Sequence, residues 1–179
     1  NQLTGVSVQS SENNINGNEI ANSIIDGVSL TTGAENNKIG VSSPNDIFGN
    51  AGYGISVVNA NSNDVSNNMI AQNSSGGVLI SNSTIDFSMN TITENSNVGI
   101  FLEAANHNIL SDNDISLNSG NGIIINGNGN HISENRINNN DLAGILVGSG
   151  INNSILTNSI FENSGLGIQL TGSANDEQE

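Results

Sequence analysis

The residues in this sequence best suited to chemistry are three acids and an arginine that recur at a fixed spacing. Asp112 and Glu134 lie 22 residues apart, and so do Asp114 and Arg136. Brought together, such groups could hold a calcium ion and assist the abstraction of a proton. A simpler interpretation is that acids lie on the surface of an acidic chain and that Asp114 and Arg136 form an exposed ion pair of little energetic value. Either interpretation requires that positions 22 residues apart are neighbours in space.

A repeat runs through the whole chain and makes that arrangement plausible. Each copy has a glycine followed by an apolar residue, any residue, and a second apolar residue. The glycines are Gly5, Gly27, Gly54, Gly77, Gly99, Gly122, Gly144 and Gly167. Their spacing is 22–23 residues except for one interval of 27, which contains the single proline, Pro44. We therefore expect a loop at about residues 40–44, inserted into one copy.

Asparagine is the second regular feature of the repeat. The chain has 37 Asn residues, and 19 of them fall into three columns at the repeat spacing. The central column has the pattern apolar-x-x-Asn-x-Ile, with extra residues between Ile39 and Asn45 in the inserted copy, and contains Asn18, Asn45, Asn68, Asn90, Asn113, Asn135 and Asn158. Stacked about 4.8 Å apart, an Asn amide can donate to one neighbour and accept from the other. Asn also tolerates left-handed bends between strands. We expect these residues to form a structural ladder.

The pattern predicts an all-β chain built from stacked coils. Alternation of period two, interrupted every few residues by Asn or Gly, excludes helices of useful length and favours two or three short strands per repeat. A leucine-rich repeat has a similar length but requires an apolar residue two positions before the core motif, where six of the seven copies here have Asn. The prediction is a right-handed single-stranded parallel β-helix of about eight coils over residues 1–172, followed by an acidic tail or linker at 173–179.

The repeat resembles that of the pectate-lyase-like superfamily of parallel β-helices over nearly the whole chain. The stretches from Glu35 to Val57 and from Asn153 to Leu170 are similar to the Asn-rich coils of large bacterial secreted and surface proteins. This resemblance implies a secreted or cell-surface location. It does not select a function, because such helices serve as polysaccharide lyases, epimerases, adhesins, phage spikes and scaffolds. Enzymes of the superfamily carry carboxylates and a base on the outside of stacked coils.

Two further sets of residues could bind a cation or act as a base. Asp64 and Asp86 share a column, which could hold a cation or simply be repulsive, and we favour repulsion. His107 and His131 fall in different columns, without a Ser or Cys at an equivalent position, and we expect solvated loop residues. No metal site or cofactor is predicted, apart from weak binding of calcium by the acidic surface.

One outward-facing column is unusually apolar. The position between the two inward residues of the Gly strand is occupied in four neighbouring coils by Leu79, Phe101, Ile124 and Leu146. Exposed apolar patches usually mark a contact surface. Two interpretations remain open: this apolar stripe binds a partner, or another segment of the parent protein covers it.

Composition excludes some partners. With 17 acids against two bases, the net charge is −15, and Lys38 and Arg136 cannot neutralise a nucleic-acid backbone. No apolar run approaches the roughly 20 residues of a membrane-spanning helix. Neither end shows a capping element, so we expect flanking coils or domains, or other copies of the chain stacked end to end.

The sequence favours a non-catalytic structural β-solenoid of a secreted or surface-exposed microbial protein, acting as a scaffold, fibre or adhesion module. The alternative is a lyase-like, epimerase-like or glycan-binding β-helix that acts on acidic polysaccharides.

Overall fold

Three parallel sheets form the sides of a β-solenoid in a computed structural model that describes residues 3–172. The predicted tail at 173–179 lies outside the described residues. Sheet A consists of β1 (Val6–Val8), β4 (Val28–Leu30), β7 (Tyr53–Val58), β10 (Gly76–Ser81), β13 (Ile100–Glu103), β16 (Ile123–Asn126), β19 (Ile145–Ser149) and β22 (Ile168–Leu170). None of the described residues lies in a helix, and accordingly none of them forms a helix able to cross a membrane.

The other two sheets contain seven strands each. Sheet B consists of β2 (Asn14–Ile15), β5 (Lys38–Ile39), β8 (Asn63–Ser66), β11 (Ile85–Ser88), β14 (Ile109–Ser111), β17 (His131–Ser133) and β20 (Ser154–Leu156). Sheet C consists of β3 (Glu19–Ala21), β6 (Asp46–Phe48), β9 (Met69–Ala71), β12 (Thr91–Thr93), β15 (Asp114–Ser116), β18 (Arg136–Asn138) and β21 (Ser159–Phe161).

Each strand pairs in parallel with the equivalent strand of the next repeat. In sheet A, for example, Val78 pairs with Ile100 and Ile100 with Ile123. The predicted all-β parallel β-helix is thereby confirmed. The described residues form seven complete coils, and β22 starts an eighth, so the predicted count of about eight includes one partial coil.

The core is a stack of aliphatic side chains. Along β10, Val78 and Ile80 are fully buried while Leu79 between them is half-buried, as a strand with one inward face requires. Sheets B and C supply equivalent columns, and the largest fully buried side chain is Phe87 on β11. In the interior coils, every inward residue therefore packs against the equivalent residues of the coils above and below.

The central Asn column forms the ladder that the sequence predicts. Nδ2 of Asn113 donates to Oδ1 of Asn135 at 2.9 Å and to the carbonyl oxygen of Phe87 at 3.0 Å. Oδ1 of Asn113 accepts the backbone N–H of Asn90 at 2.9 Å. Since this pattern repeats from coil to coil, the amides satisfy backbone groups at a corner where no strand pairing is available.

The left-handed bends differ from the prediction. In six of the seven coils the residue before the ladder Asn has positive φ, as in Met89 (55°), Asp112 (57°) and Glu134 (60°), and the ladder Asn itself does not. Bulky and charged residues occupy this position because their side chains point to solvent. The ladder Asn thus makes the hydrogen bonds between coils, and the residue before it makes the left-handed bend.

A longer connection separates β5 from β6 in the second coil. Residues 40–45 lie between these strands, whereas residues 67–68 suffice in the next coil. Pro44 is exposed in this connection. Beyond it the ladder resumes, because Asn45 Nδ2 donates to Asn68 Oδ1 at 2.8 Å.

Candidate functional site

The corner between sheets B and C carries the first pair of acids predicted from sequence. Asp112 and Glu134 occupy equivalent positions in successive bends and are both exposed. Their backbone N–H groups donate to carbonyl oxygens of the next coil, at Ser133 and Leu156. The two residues therefore share a column, and both side chains are exposed to solvent.

Asp114 and Arg136 are register partners on the outer face of sheet C. An Nη atom of Arg136 lies 3.2 Å from Oδ1 of Asp114, with the two side chains 51% and 45% exposed. The guanidinium also lies over the ring of Phe161, 4.9 Å from its centroid, a cation–π arrangement. Arg136 is thus held by two neighbours in its own sheet, and it is directed at Asp114 rather than towards Asp112 and Glu134.

The acids do not fit a calcium ion, which takes six to eight oxygen ligands. Among residues 3–172 no group of three or more acids or histidines converges on one point. Asp64 and Asp86 are register neighbours on sheet B and line a shallow cavity of about 280 Å³. Lys38 precedes them in the same column. Two carboxylates alone cannot supply the oxygen ligands of a calcium site.

The two histidines lie apart, as predicted from their columns. His107 is an exposed bend residue with φ 57°, and its imidazole lies against Gly129. His131 is half-buried on the outer face of sheet B, in register with Ile109 and Ser154. Nothing in the described chain pairs either imidazole with a nucleophile.

The apolar stripe is a continuous column on the outer face of sheet A. Leu79 is in register with Phe101, Phe101 with Ile124, and Ile124 with Leu146. All four side chains are half-buried by their neighbours. In the coils before the stripe this column is occupied by serine, ending with Ser56.

Beside the start of the stripe is a polar cluster that sequence reasoning missed. Oδ1 of Asp26 accepts the backbone N–H of Tyr53 at 2.8 Å, and the Ser56 hydroxyl also donates to this carboxylate. Burial raises the pKa of Asp26, and the two hydrogen bonds partly offset the rise. Gly52, which precedes Tyr53, has to be glycine, because a Cβ at this position would collide with the carboxylate of Asp26.

Tyr53 completes this cluster. Its ring packs against Gly76, which has φ 142° and no room for a side chain. Burial raises the pKa of the Tyr53 hydroxyl, and the negative charges of Glu103 and Asp26 raise it further. The sequence signal that could have found this pair is its position, because Asp26 and Tyr53 each directly precede the glycine of their repeat across the 27-residue interval.

A family model described as "Right handed beta helix region" matches residues 40–177. The chain belongs to the right-handed β-helix family. No relative is found among curated protein sequences.

Solved structures share the fold of this β-helix at low sequence identity. The periplasmic alginate epimerase AlgG has a TM-score of 0.72 and 18% identity, covering 94% of this chain and 48% of that chain. Pectate lyase Pel9A has a TM-score of 0.62 and 14% identity, covering 89% and 52%. The Dettilon tailspike protein (gp208) has a TM-score of 0.54 and 13% identity, covering 89% and 46%. The chain thus spans about half the length of these structures, and at such identities the similarity shows the fold alone.

Proposed function

We propose that this β-helix is a non-catalytic structural module of a secreted or surface-exposed microbial protein, serving as a scaffold, fibre or adhesion element. The observation that carries the proposal is the dispersal of its acids. Asp112 and Glu134 lie in solvent at one corner, Asp114 is engaged by Arg136 on the adjacent face, and no larger set of acids converges in residues 3–172. The Asn residues of the ladder and the aliphatic residues of the core stabilise the stack of coils.

A glycan-acting or glycan-binding β-helix is the second candidate. It is favoured by the shared fold with an alginate epimerase and a pectate lyase and by the position of Tyr53 beside the apolar stripe. A sugar ring has an apolar face that could lie on such a stripe, and the hydroxyl of Tyr53 could bind its polar edge. For an acidic polysaccharide, the chain's net charge of −15 opposes binding unless cations bridge the two.

The two candidates are separated by a direct assay. The purified chain is incubated with pectin and with alginate, with and without calcium, and unsaturated uronides are followed by ultraviolet absorbance while epimerisation is followed by NMR. We expect no product in either assay. Product formation that is lost in Asp112→Ala, Glu134→Ala or Asp26→Asn would overturn the non-catalytic assignment and identify the acid responsible.

Glycan binding without turnover is tested on the same chain. Binding to immobilised polysaccharides that is abolished by Phe101→Asp but retained by Leu117→Asp would favour the second candidate. Leu117 is a suitable control because it is exposed (54%) in a bend away from the stripe.

A further inference from the structure

Four asparagines of this chain are followed directly by glycine, in the pairs at residues 16–17, 121–122, 126–127 and 128–129. An Asn-Gly pair is chemically labile, because the glycine has no side chain to hinder attack by its backbone nitrogen on Cγ of the asparagine. The attack requires that the glycine N–H and the asparagine side chain both leave their hydrogen bonds. Those hydrogen bonds therefore decide which of the four pairs can react in the folded protein.

Three of the four pairs are held twice by the next coil. The glycine N–H donates to a carbonyl oxygen of that coil, at 3.1 Å for Gly17 and at 3.0 Å for both Gly122 and Gly129. The asparagine Oδ1 of the same three pairs accepts a backbone N–H of that coil, at 3.2, 3.0 and 2.9 Å in chain order. A side chain fixed by its oxygen cannot turn its Cγ towards the following nitrogen without breaking that bond. These three pairs are therefore protected.

Asn126 lacks this protection. Its side chain makes no hydrogen bond to any residue between 3 and 172. The N–H of Gly127 is 3.4 Å from its acceptor, the carbonyl oxygen of Ser149, which is the longest such distance in the four pairs. Asn126 is also the last residue of β16 and is half-buried on the outer face of sheet A, so water reaches it.

A β-bulge in the next coil accounts for the difference. Ile125 pairs with Val147 but Asn126 pairs with Ser149, so Gly148 is an extra residue in β19. Oδ1 of Asn126 lies over Gly148, where a Cβ would collide with it. Bulges disrupt strand pairing locally. The bulge thus lengthens the hydrogen bond of Gly127 and leaves the Asn126 amide without a partner in the described chain.

We propose that Asn126 is a site of spontaneous deamidation in the folded protein, selected by this bulge from the four Asn-Gly pairs. Hydroxide removes the proton of the Gly127 N–H, and the nitrogen attacks Cγ of Asn126. The new N–C bond closes a succinimide ring, while the C–N bond of the side-chain amide breaks and the nitrogen leaves as ammonia. Water then opens the ring at either carbonyl and leaves aspartate or isoaspartate at position 126. The reaction is independent of the structural function proposed above.

Deamidation changes both the charge and the main chain at this position. Asn126 is the register partner of Glu103, which is exposed, and like charges directly opposite one another on neighbouring strands are destabilising. Isoaspartate also lengthens the main chain by one carbon beside Gly127, whose backbone is in close contact with Ala105 and Gly150. The stack should therefore lose stability as the reaction proceeds.

The other three Asn-Gly pairs serve as internal controls for the test. The folded chain is kept in mildly alkaline buffer prepared in heavy-oxygen water, beside an equal sample in denaturant. Cleavage after glutamate releases residues 104–134, which contain three of the four pairs, and residues 13–19, which contain the fourth. Fragmentation in a mass spectrometer assigns each incorporated label to a residue, and chromatography separates aspartate from isoaspartate products.

The folded and denatured samples should differ in pattern. In the folded chain Asn126 should react about tenfold faster than each other pair, because those pairs must break at least one further hydrogen bond of ordinary strength. In denaturant the four rates should become similar, since the order in the folded chain depends on the coils. Equal rates for all four pairs in the folded chain, or an Asn126 that stays intact there while the denatured chain reacts, would overturn the proposal.

Two variants test the effect on stability. Asn126→Asp introduces the charge of the product, and Asn126→Ser removes the same amide without adding charge. Asn126→Asp should have the lower thermal midpoint, and the difference should shrink as salt screens the repulsion from Glu103. Equal midpoints at low salt would overturn the predicted loss of stability. Neither experiment bears on the non-catalytic assignment, which depends on the turnover assays.

Discussion

Replacing Asn113 with alanine tests the ladder at a buried position, where the residue is 1% exposed. The side chain of Asn113 takes part in four hydrogen bonds. It accepts from the backbone N–H and Nδ2 of Asn90 at 2.9 and 3.2 Å, and it donates to Phe87 O and Asn135 Oδ1 at 3.0 and 2.9 Å. In Asn113→Ala, Nδ2 of Asn90 keeps other acceptors and Oδ1 of Asn135 keeps the backbone N–H of residue 113. The N–H of Asn90 loses its partner.

These losses set the size of the effect. An orphaned buried donor costs about 1–3 kcal/mol, and each of the other lost hydrogen bonds about 0.5–1.5 kcal/mol. Allowing for incomplete additivity, Asn113→Ala should lower the free energy of unfolding by about 3–5 kcal/mol. Asn158→Ala should cost only about 1–2 kcal/mol, because Asn158 is half-exposed and water can replace its bonds. Asn97 is exposed and its side chain makes no hydrogen bond in the described chain, so Asn97→Ala should change stability by less than about 0.5 kcal/mol.

The assay is unfolding in guanidinium chloride, followed by circular dichroism and by the fluorescence of Tyr53. The chain has one Tyr and no Trp, so the second probe reports on the coils around Tyr53, whereas circular dichroism reports on all strands. Coincident transitions would justify a two-state free energy, which repeat proteins do not always satisfy. An Asn113→Ala variant no less stable than Asn97→Ala would refute the claim that the ladder stabilises the stack.

Three further predictions concern packing, pH and the apolar stripe. Gly99→Ala should be strongly destabilising, because the added Cβ would lie 2.6 Å from the carbonyl oxygen of Gly122. Gly167→Ala should be tolerated, since the nearest atom to its Cβ would be 3.7 Å away. Thermal melts of the two variants check this difference. Because the pKa of Asp26 is raised in the folded state, it contributes stability that is present below the unfolded pKa and is lost as the pH rises through the folded pKa. Asp26→Asn should therefore become more stable relative to the parent as the pH increases. Denaturation series from acid to neutral pH measure this change. Phe101→Asp should leave the fold intact by circular dichroism but reduce any glycan or partner binding by the stripe, and unchanged binding would exclude the stripe as a contact surface.

Sequence periodicity predicted the columns of this fold because each coil repeats the same positions at nearly constant spacing. The neighbours of Asn113, the stripe through Phe101 and the pairing of Asp114 with Arg136 all follow from counting 22 or 23 residues. Such counting identifies residues that stack, and each of these columns lies within one sheet or one corner.

Contacts between columns were beyond that reasoning. The ring of Phe161 lies beside Arg136 although the two residues belong to different columns, and the hydroxyl of Ser56 reaches the carboxylate of Asp26, which also lies in a different column. The direction of a side chain at a bend depends on local φ and on neighbouring bulk, which spacing alone does not specify. For the same reason the left-handed position was assigned to the ladder Asn rather than to the residue before it.

Disulfide trapping is the most direct test of the central claim that successive coils stack in register. The chain contains no cysteine, so two introduced cysteines can react only with each other within one chain. Ser88 and Ser111 are register partners on the outer face of sheet B, and Ser133 follows one coil later. Adjacent parallel strands lie about 4.8 Å apart, within the range that a disulfide spans, whereas two coils exceed its limit of about 7 Å. Mild oxidation should therefore form an intramolecular disulfide almost completely in a Ser88→Cys, Ser111→Cys variant. In a Ser88→Cys, Ser133→Cys variant, no intramolecular disulfide should form. Efficient cross-linking of the second variant and none of the first would contradict the stacking on which the account depends.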